Sequence, residues 1–186
     1  SVTVIGTGTQ GRALASLAEE AGATVQSINR EDSAEIAGEI VVLAVPFEVR
    51  DSVVAAYRPQ LAGRIVLDVS EPRDRERHDR LDHHPSNAEL LARELPDARV
   101  VKAFSTTPAE ELVAASVSER ISTVLVVGDD RQAKQKVMRM AEVVGVEVLD
   151  DGPLERARAL EREGFLERTL DVAADVDRAL GGGLIP

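Results

Sequence analysis

Three glycines near the amino terminus have a spacing that could bind a diphosphate. Gly6, Gly8 and Gly11 form a Gly-x-Gly-x-x-Gly pattern between the apolar run Val2–Ile5 and an amphipathic helical stretch. Glycines there permit a tight turn and close approach of the backbone to a ligand, and N–H groups at residues 10–12 would face the anion. The predicted dinucleotide contacts are Gly6, Thr7, Gly8, Thr9, Gln10 and Gly11. An ordinary glycine-rich turn is the alternative.

The residues after the second apolar run indicate which dinucleotide would bind. Sites for NAD usually place an acid there, on the ribose 2′-hydroxyl. This chain has Asn29 and Arg30 instead, with no acid before Glu31. A guanidinium can pair with a 2′-phosphate and an amide can donate to it, so the sequence favours NADP(H). The alternative is that Arg30 is a solvated loop residue.

The end of the third apolar run is predicted to border the dinucleotide. In a doubly wound sheet, the carboxyl end of this strand lies beside the cofactor's path. Pro46 would stiffen the strand exit, and Phe47 could pack against a ring or, equally, under the following helix. The predicted cofactor contacts in this segment are Ala44, Val45, Pro46 and Phe47.

Short apolar runs alternate with helical patterns along most of the chain. Continuous apolar runs are typical of strands covered on both faces, so we expect an α/β, doubly wound, mainly parallel sheet. We predict a Rossmann domain over residues 1–150, with a C-terminal helical segment, residues 151–186, packing on it. The predicted strands span residues 2–5, 23–25, 40–45, 64–69, 99–104, 123–127 and 146–149, and the predicted helices include residues 10–21 and 129–144.

Composition excludes several classes of function. The formal net charge is −11 over 186 residues, which disfavours nucleic-acid binding, and there are no cysteines for thiolate chemistry. All three histidines lie in the polar, arginine-rich stretch 71–86, which predicts a solvated loop and no metal site. That loop's arginines could receive an anionic ligand or pair with its own acids. No run is apolar enough to span a membrane, so we expect a cytoplasmic protein.

Further segments make the chain resemble a known family. With the three stretches above, KAFSTTPAEEL (residues 102–112), VLVVGDD (124–130) and LDDGPLERARALE (149–161) are similar to the NADPH:coenzyme F420 oxidoreductases. This fold also occurs in the reductase domain of membrane ferric reductases. The resemblance implies an enzyme that moves a hydride between NADPH and a second ring stacked on the nicotinamide. That ring would be F420 or a flavin, FMN or FAD.

The resemblance also implies where the second ring would bind. The family's cleft is bordered by the segments after the fourth and fifth strands and by the C-terminal tail. The matching residues are Ser70, Glu71, Pro72, Phe104, Ser105, Gly182 and Leu184. Ser105, Thr106 and Thr107 are predicted to hydrogen-bond the ring edge, or alternatively to cap a helix before Pro108. Glu71 and Ser105 depart from the family pattern, where neutral residues and Asn are common.

The sequence leaves two other functions open, and it also leaves open whether the chain forms a homodimer. One alternative is an NADP-binding sensor or scaffold module without turnover, and the other is reduction of a different small acceptor such as an imine. The apolar residues of the last helical stretch predict a homodimer, or burial against the protein's own sheet. They are Leu160, Phe165, Leu166, Leu170, Val172 and Val176.

Replacing Arg30 with Ala tests the predicted preference for the phosphorylated cofactor. If Arg30 pairs with the 2′-phosphate, the variant should bind NADPH about tenfold or more weakly while its affinity for NADH hardly changes. Fluorescence titration with each cofactor measures both constants. Equal losses for NADPH and NADH would show that Arg30 does not bind the phosphate.

Overall fold

The computed structural model confirms the predicted α/β architecture. It describes residues 1–29, 32, 34–70, 85–105, 107, 109, 112 and 123–162. The strands are β1 (Val2–Ile5), β2 (Val25–Ile28), β3 (Ile40–Leu43), β4 (Ile65–Asp68), β5 (Arg99–Lys102), β6 (Val124–Gly128) and β7 (Val148–Asp150). The helices are α1 (Thr9–Glu20), α2 (Phe47–Leu61), α3 (Asn87–Glu94) and α4 (Arg131–Glu142). A 3-10 turn, Leu154–Arg156, leads into helical residues 157–162.

The strands form one sheet in the order β2-β1-β3-β4-β5-β6-β7. Neighbours are parallel except β5 and β6, which pair antiparallel through Val101 with Gly128 and Lys102 with Val127. The strand order reverses direction at β1, because β2 lies on one side of it and β3 on the other. The carboxyl ends of β1 and β3 therefore flank a topological switch point, where α/β proteins bind ligands.

Helices cover both faces of the sheet, which explains the continuously apolar strands. On one face, Leu14 and Leu17 of α1 and Val137 of α4 pack with Val4 and Leu67. On the other face, α2, α3 and residues 154–162 share a core with Ile5, Leu43 and Val66. The helical members of that core are Val54, Leu61, Ala88, Leu91, Leu154, Ala157 and Leu160.

Several predicted element bounds need correction. The strands expected at residues 40–45 and 99–104 each end two residues earlier, at Leu43 and Lys102, and the strand expected at 146–149 is Val148–Asp150. The other corrections concern β2 and the C-terminal helical stretch.

The second strand was expected at residues 23–25 but is Val25–Ile28, continuing through Gln26 and Ser27. It is the edge of the sheet and half exposed, so polar residues are tolerated there and the apolar run marks only its start. The helical stretch expected from residue 154 begins with the 3-10 turn, and residues beyond 162 lie outside the described structure.

No described helix has the length and apolar character needed to cross a membrane.

Candidate functional site

The glycine turn lies at the switch point and is locked between two strands. Gly6 donates its N–H to the carbonyl of Ile28 at 2.9 Å, and Ala44 donates to that of Ile5 at 2.9 Å. Gly6 has a φ of 110°, and a Cβ placed on it would lie 2.2 Å from the Ala44 carbonyl oxygen. Only glycine satisfies both the conformation and the close approach. The turn thus packs directly on the exit of β3.

The start of α1 fits an anionic group. A Cβ on Gly8 would meet nothing within 4 Å, and Gly8, the N-cap, has an ordinary φ of −68° and no capping side chain. The first turn of α1 contains no acidic residue. The amides of residues 9–11 precede the first helical bond and point beyond the helix end. These amides and the space beside Gly8 form a cradle suited to a pyrophosphate.

Arg12 has a different role from the one predicted. Its N–H donates to the Gly8 carbonyl at 3.0 Å, so the free amides are those of residues 9–11 and not 10–12. Its exposed side chain was overlooked in the sequence. Arg12 Nε donates to the Thr7 carbonyl at 2.7 Å, which places a guanidinium across the glycine turn beside the cradle. A cation there favours a phosphate ligand.

The end of β2 is described only in part. Asn29 donates its N–H to Asp32 Oδ2 at 3.0 Å, and Asp32 N–H donates back to the Asn29 carbonyl at 3.0 Å. Tyr57 of α2 donates its hydroxyl to the Asp32 carbonyl at 3.0 Å. This turn is therefore fixed to α2, and Asn29 directly follows the strand. Arg30 lies outside the described residues, and its role stays a prediction.

The exit of β3 presents mainly backbone to the switch point. Val45 is buried in the core below α2, whereas Pro46 is exposed and is the N-cap of α2. Phe47 is half-buried, and the Arg50 guanidinium lies 4.9 Å from its ring centroid. Phe47 therefore contacts Arg50 of its own helix and lies at the carboxyl edge of the sheet, and both interpretations of its role stay predictions.

The loop after β5 is tied to the glycine turn. Gln10 Nε2 donates to the carbonyls of Phe104 at 3.0 Å and Thr107 at 3.3 Å. The Phe104 ring is buried, so it is core and does not line a cleft as an exposed wall. Ser105 is half-buried and Thr107 is buried. The predicted ring-edge segment thus lies next to the predicted cofactor turn, although Thr106 lies outside the described residues.

A buried ion pair that sequence analysis missed supports the exit of β4. Lys102 and Asp68 are both 0% exposed, and Lys102 Nζ lies 3.2 Å from Asp68 Oδ2. Lys102 also donates to the Ser70 carbonyl at 2.6 Å, and Ser70 donates its hydroxyl to Asp68 Oδ1 at 2.6 Å. Ser70, a predicted cleft residue, is therefore held by this pair. The sequence signal for this pair was a charged residue at the end of each of two apolar strands, Asp68 in β4 and Lys102 in β5.

Glu161 completes this buried network from the far end of the chain. Its carboxylate lies 3.6 Å from Lys102 Nζ and accepts the N–H of Asn87 at 3.0 Å and of Ala88 at 3.2 Å. A carboxylate at the start of α3 is favoured by the helix dipole. Ser86 caps the same helix in a capping box with Glu89, a Ser-x-x-Glu signal readable in the sequence. No comparable sequence pattern predicts the contacts of Glu161.

The charge state of Asp68 follows from this network. Burial alone would raise the pKa of the carboxyl, but Lys102, the Ser70 hydrogen bonds and the charge of Arg50 together hold it below its ordinary value. Asp68 is therefore ionised at neutral pH and balances Lys102. Both side chains are inaccessible, so their part is to fix the strand exits and not to touch a ligand.

Several predicted site residues lie outside the described structure. These are Arg30, Glu71, Pro72, Thr106, Gly182 and Leu184. The three histidines, for which no site was predicted, also lie outside it. Among the described residues, no group of three or more potential metal ligands comes together. The described part of the site therefore comprises the cradle and the exits of β3, β4 and β5.

Substitution of two neighbouring glycines should separate binding from folding. Gly8→Val leaves an allowed backbone and fills the cradle, so NADPH affinity should fall at least about tenfold with the unfolding free energy little changed. Gly6→Ala must displace the Ala44 carbonyl and should cost about 1–3 kcal/mol or more of stability. Urea unfolding and NADPH titration measure both effects. Unaltered affinity in Gly8→Val would remove the turn from the site.

Asp68→Asn should alter the stability of the protein in a pH-dependent way. Because the folded pKa of Asp68 is below its unfolded value, the pair's contribution is present above the unfolded pKa, about 3.9, and is lost as the pH falls through the folded pKa. Near neutral pH the variant should lose about 1–3 kcal/mol, since Lys102 loses one buried partner and keeps Glu161 at 3.6 Å.

Denaturant unfolding at a series of pH values checks this expectation. The difference between wild type and Asp68→Asn should shrink as the solution becomes acidic. Asp97→Asn, at an exposed position, serves as the control and should change little. A difference that stays constant into strong acid would contradict an ionised Asp68.

Comparison with known proteins agrees with this geometry. The family model for coenzyme F420-dependent NADP oxidoreductases matches residues 14–72. Metalloreductase STEAP3 from Rattus norvegicus is 37% identical over 138 residues, covering 74% of this chain and 27% of the rat protein. The F420-dependent NADP reductase of Methanocaldococcus jannaschii is 29% identical over 150 residues, covering 75% and 64%. The chain thus spans about a quarter of the rat relative and just under two thirds of the archaeal one.

A solved structure extends the similarity to nearly the whole chain. A protein from Arthrobacter sp. FB24, provisionally named an F420-dependent NADP reductase, has a TM-score of 0.71 and 26% sequence identity. The match covers 97% of this chain and 94% of that one. The fold of that protein agrees with the strand order described above, and the chain is similar to the coenzyme F420-dependent NADP oxidoreductases in sequence and in fold.

Proposed function

We propose that this chain transfers a hydride between NADPH and a deazaflavin or flavin ring. The observation that carries the proposal is the start of α1 beside Gly8, where no side chain of the described residues caps the helix and a dinucleotide pyrophosphate would fit. The family model that matches residues 14–72 describes NADP-dependent oxidoreductases, and two archaeal relatives are named F420-dependent NADP reductases. F420 is therefore the favoured acceptor.

The residues at this edge would bind and orient, and need not exchange protons. Backbone amides of residues 9–11 and the Arg12 guanidinium would hold the pyrophosphate, and the exit of β3 would support the rest of the dinucleotide. When bound, NADPH would supply a hydride to the oxidised second ring and become NADP⁺. The reduced ring would take the accompanying proton from water. The protein's part is to hold two rings at about 3–3.5 Å and to exclude water between them.

The acceptor side is supported by polar groups on the same edge. Ser70 follows β4, and Ser105 and Thr107 follow β5, so their backbones or hydroxyls could bond the edge of a ring. The Ser70 hydroxyl is already used by Asp68, which leaves Ser105 as the more available hydroxyl. The contributions of Glu71, Pro72, Gly182 and Leu184, and a homodimer through the C-terminal residues, stay predictions.

A second candidate is electron transfer from NADPH through a flavin to a metal ion. The rat relative, at 37% identity over 74% of this chain, is named a metalloreductase. The chain corresponds to only 27% of that protein, so in this case it would be the NADPH-binding part of a longer electron path. The cofactor cradle would be the same, and only the final acceptor would differ.

An acceptor panel distinguishes these functions. Loss of NADPH absorbance is followed with oxidised F420, with FMN, with FMN plus a ferric chelate, with a cyclic imine, and with no acceptor. We expect turnover with F420 that exceeds the rate with FMN, and no turnover in Gly8→Val, whose cradle is filled. Ferric reduction that requires FMN would favour the metalloreductase candidate.

The same panel can contradict the proposal. Tight NADPH binding without turnover on any acceptor would support a sensor module, and turnover on the imine alone would support the imine alternative. Turnover that persists unchanged in Gly8→Val would show that the hydride donor does not bind at the glycine turn.

A further inference from the structure

Gln10 connects two parts of the candidate site that are far apart in sequence. Its backbone belongs to the first turn of α1, whose amides would bind the pyrophosphate. Its side-chain amide reaches the loop after β5, 94 and 97 residues away, and donates to the carbonyls of Phe104 and Thr107. A single NH₂ group therefore holds two carbonyls of the loop that faces the acceptor. Because both partners are carbonyl oxygens, only a donor can fill this place.

The held loop has a backbone conformation that needs support. Phe104 has a φ of 60°, in the left-handed region that residues with a side chain rarely adopt. Such a conformation persists only where its surroundings determine it. The Phe104 ring is buried in the core cluster that includes Ala109 and Leu112, and its carbonyl accepts a hydrogen bond from Gln10. Of these two anchors, only the hydrogen bond from Gln10 acts directly on the carbonyl.

The residue that follows makes this conformation relevant to function. Ser105 is half-buried at the carboxyl edge and is a predicted contact to the edge of the second ring. Its position is set by the backbone of Phe104 and by the Thr107 carbonyl on its other side. Displacement of reacting groups by about 1 Å can lower a rate by about 100-fold. Gln10 therefore lies where the cofactor turn can determine the placement of the acceptor.

We propose that Gln10 is a positioning residue that aligns the acceptor-binding loop with the bound dinucleotide. The inference rests on the proposed function for its kinetic consequence and on the two hydrogen bonds for its structural one. The side chain acts through Phe104 and Thr107, while its backbone N–H serves the pyrophosphate. Removal of the side-chain donor should therefore affect hydride transfer much more than NADPH affinity.

Gln10→Met tests this separation, because methionine has a similar length and no donor. In the full chain, single-turnover hydride transfer from NADPH to F420 should slow by about 10–100-fold, whereas the NADPH dissociation constant should change by less than about threefold. The control is Gln26→Met. Gln26 also makes two kinds of side-chain bond, donating to Glu35 and accepting from Thr3 and Ala37, but it lies in β2 away from the acceptor loop. Gln26→Met should leave the hydride-transfer rate and the NADPH dissociation constant unchanged.

Two kinetic outcomes would overturn the inference. A parallel loss of NADPH affinity and hydride-transfer rate would make Gln10 a direct cofactor contact. An unchanged rate in a folded Gln10→Met protein would show that the loop does not depend on it.

A second measurement does not require the proposed function to be correct. Hydrogen exchange at the amides of Ser105 and Thr107 should be faster in Gln10→Met than in wild type, and unchanged in Gln26→Met. Gln10→Glu, which keeps the shape but places a carboxylate against two carbonyls, should accelerate the same amides and serves if the methionine variant folds poorly. If wild type turns over no acceptor, the proposed function fails and this exchange result still decides the inference. Unchanged exchange in both variants would overturn it.

Discussion

The candidate site depends on a close approach of three backbone segments at the switch point. Gly6 lies against the Ala44 carbonyl, and a Cβ on Gly11 would lie 2.0 Å from the Gly6 carbonyl oxygen. The start of α1, the glycine turn and the exit of β3 are therefore stacked without intervening side chains. A side chain at either glycine would push α1 away from the sheet edge and close or misalign the cradle. This steric constraint fixes the direction in which the amides of residues 9–11 point.

Electrostatics at this edge must overcome the overall charge of the chain. A protein with a formal net charge of −11 repels a phosphorylated dinucleotide at long range. Within the described residues, the two buried cations at the edge are neutralised, Lys102 by Asp68 and Glu161, and Arg50 by Asp51. Among the described residues, the remaining attraction at this edge comes from the α1 amides and from the exposed Arg12. Attraction at short range, where water is displaced, is least screened by salt and selects a ligand by its shape.

The sequence predicts the parts of the fold and site that are local in the chain. The spacing of Gly6, Gly8 and Gly11 specifies the turn, and continuous apolar runs specify a sheet covered on both faces. What the sequence does not reveal is long-range pairing between polar side chains, as in Gln10 with Phe104 or Lys102 with Glu161. The residue type of a glutamine or a glutamate does not determine which carbonyl or cation it contacts about 60 to 95 positions away. The sequence pattern also did not predict where β2 ends, because edge strands tolerate polar residues such as Gln26 and Ser27.

This contrast between local and long-range determinants also separates the candidate cofactor cradle from the proposed acceptor side. The match to the family model spans residues 14–72, from within α1 to the exit of β4, so it includes neither the glycine turn nor the loop after β5. The candidate cofactor cradle is built from glycines and amides of residues 6–11, which are local in the chain. The proposed acceptor side relies on side-chain bonds between segments that are far apart in the chain, from Gln10 to the loop after β5 and from Lys102 to Asp68 and Glu161. Those bonds are made by side chains and not by the amides of residues 9–11, so we expect changes to them to alter the proposed acceptor site without disturbing the cradle.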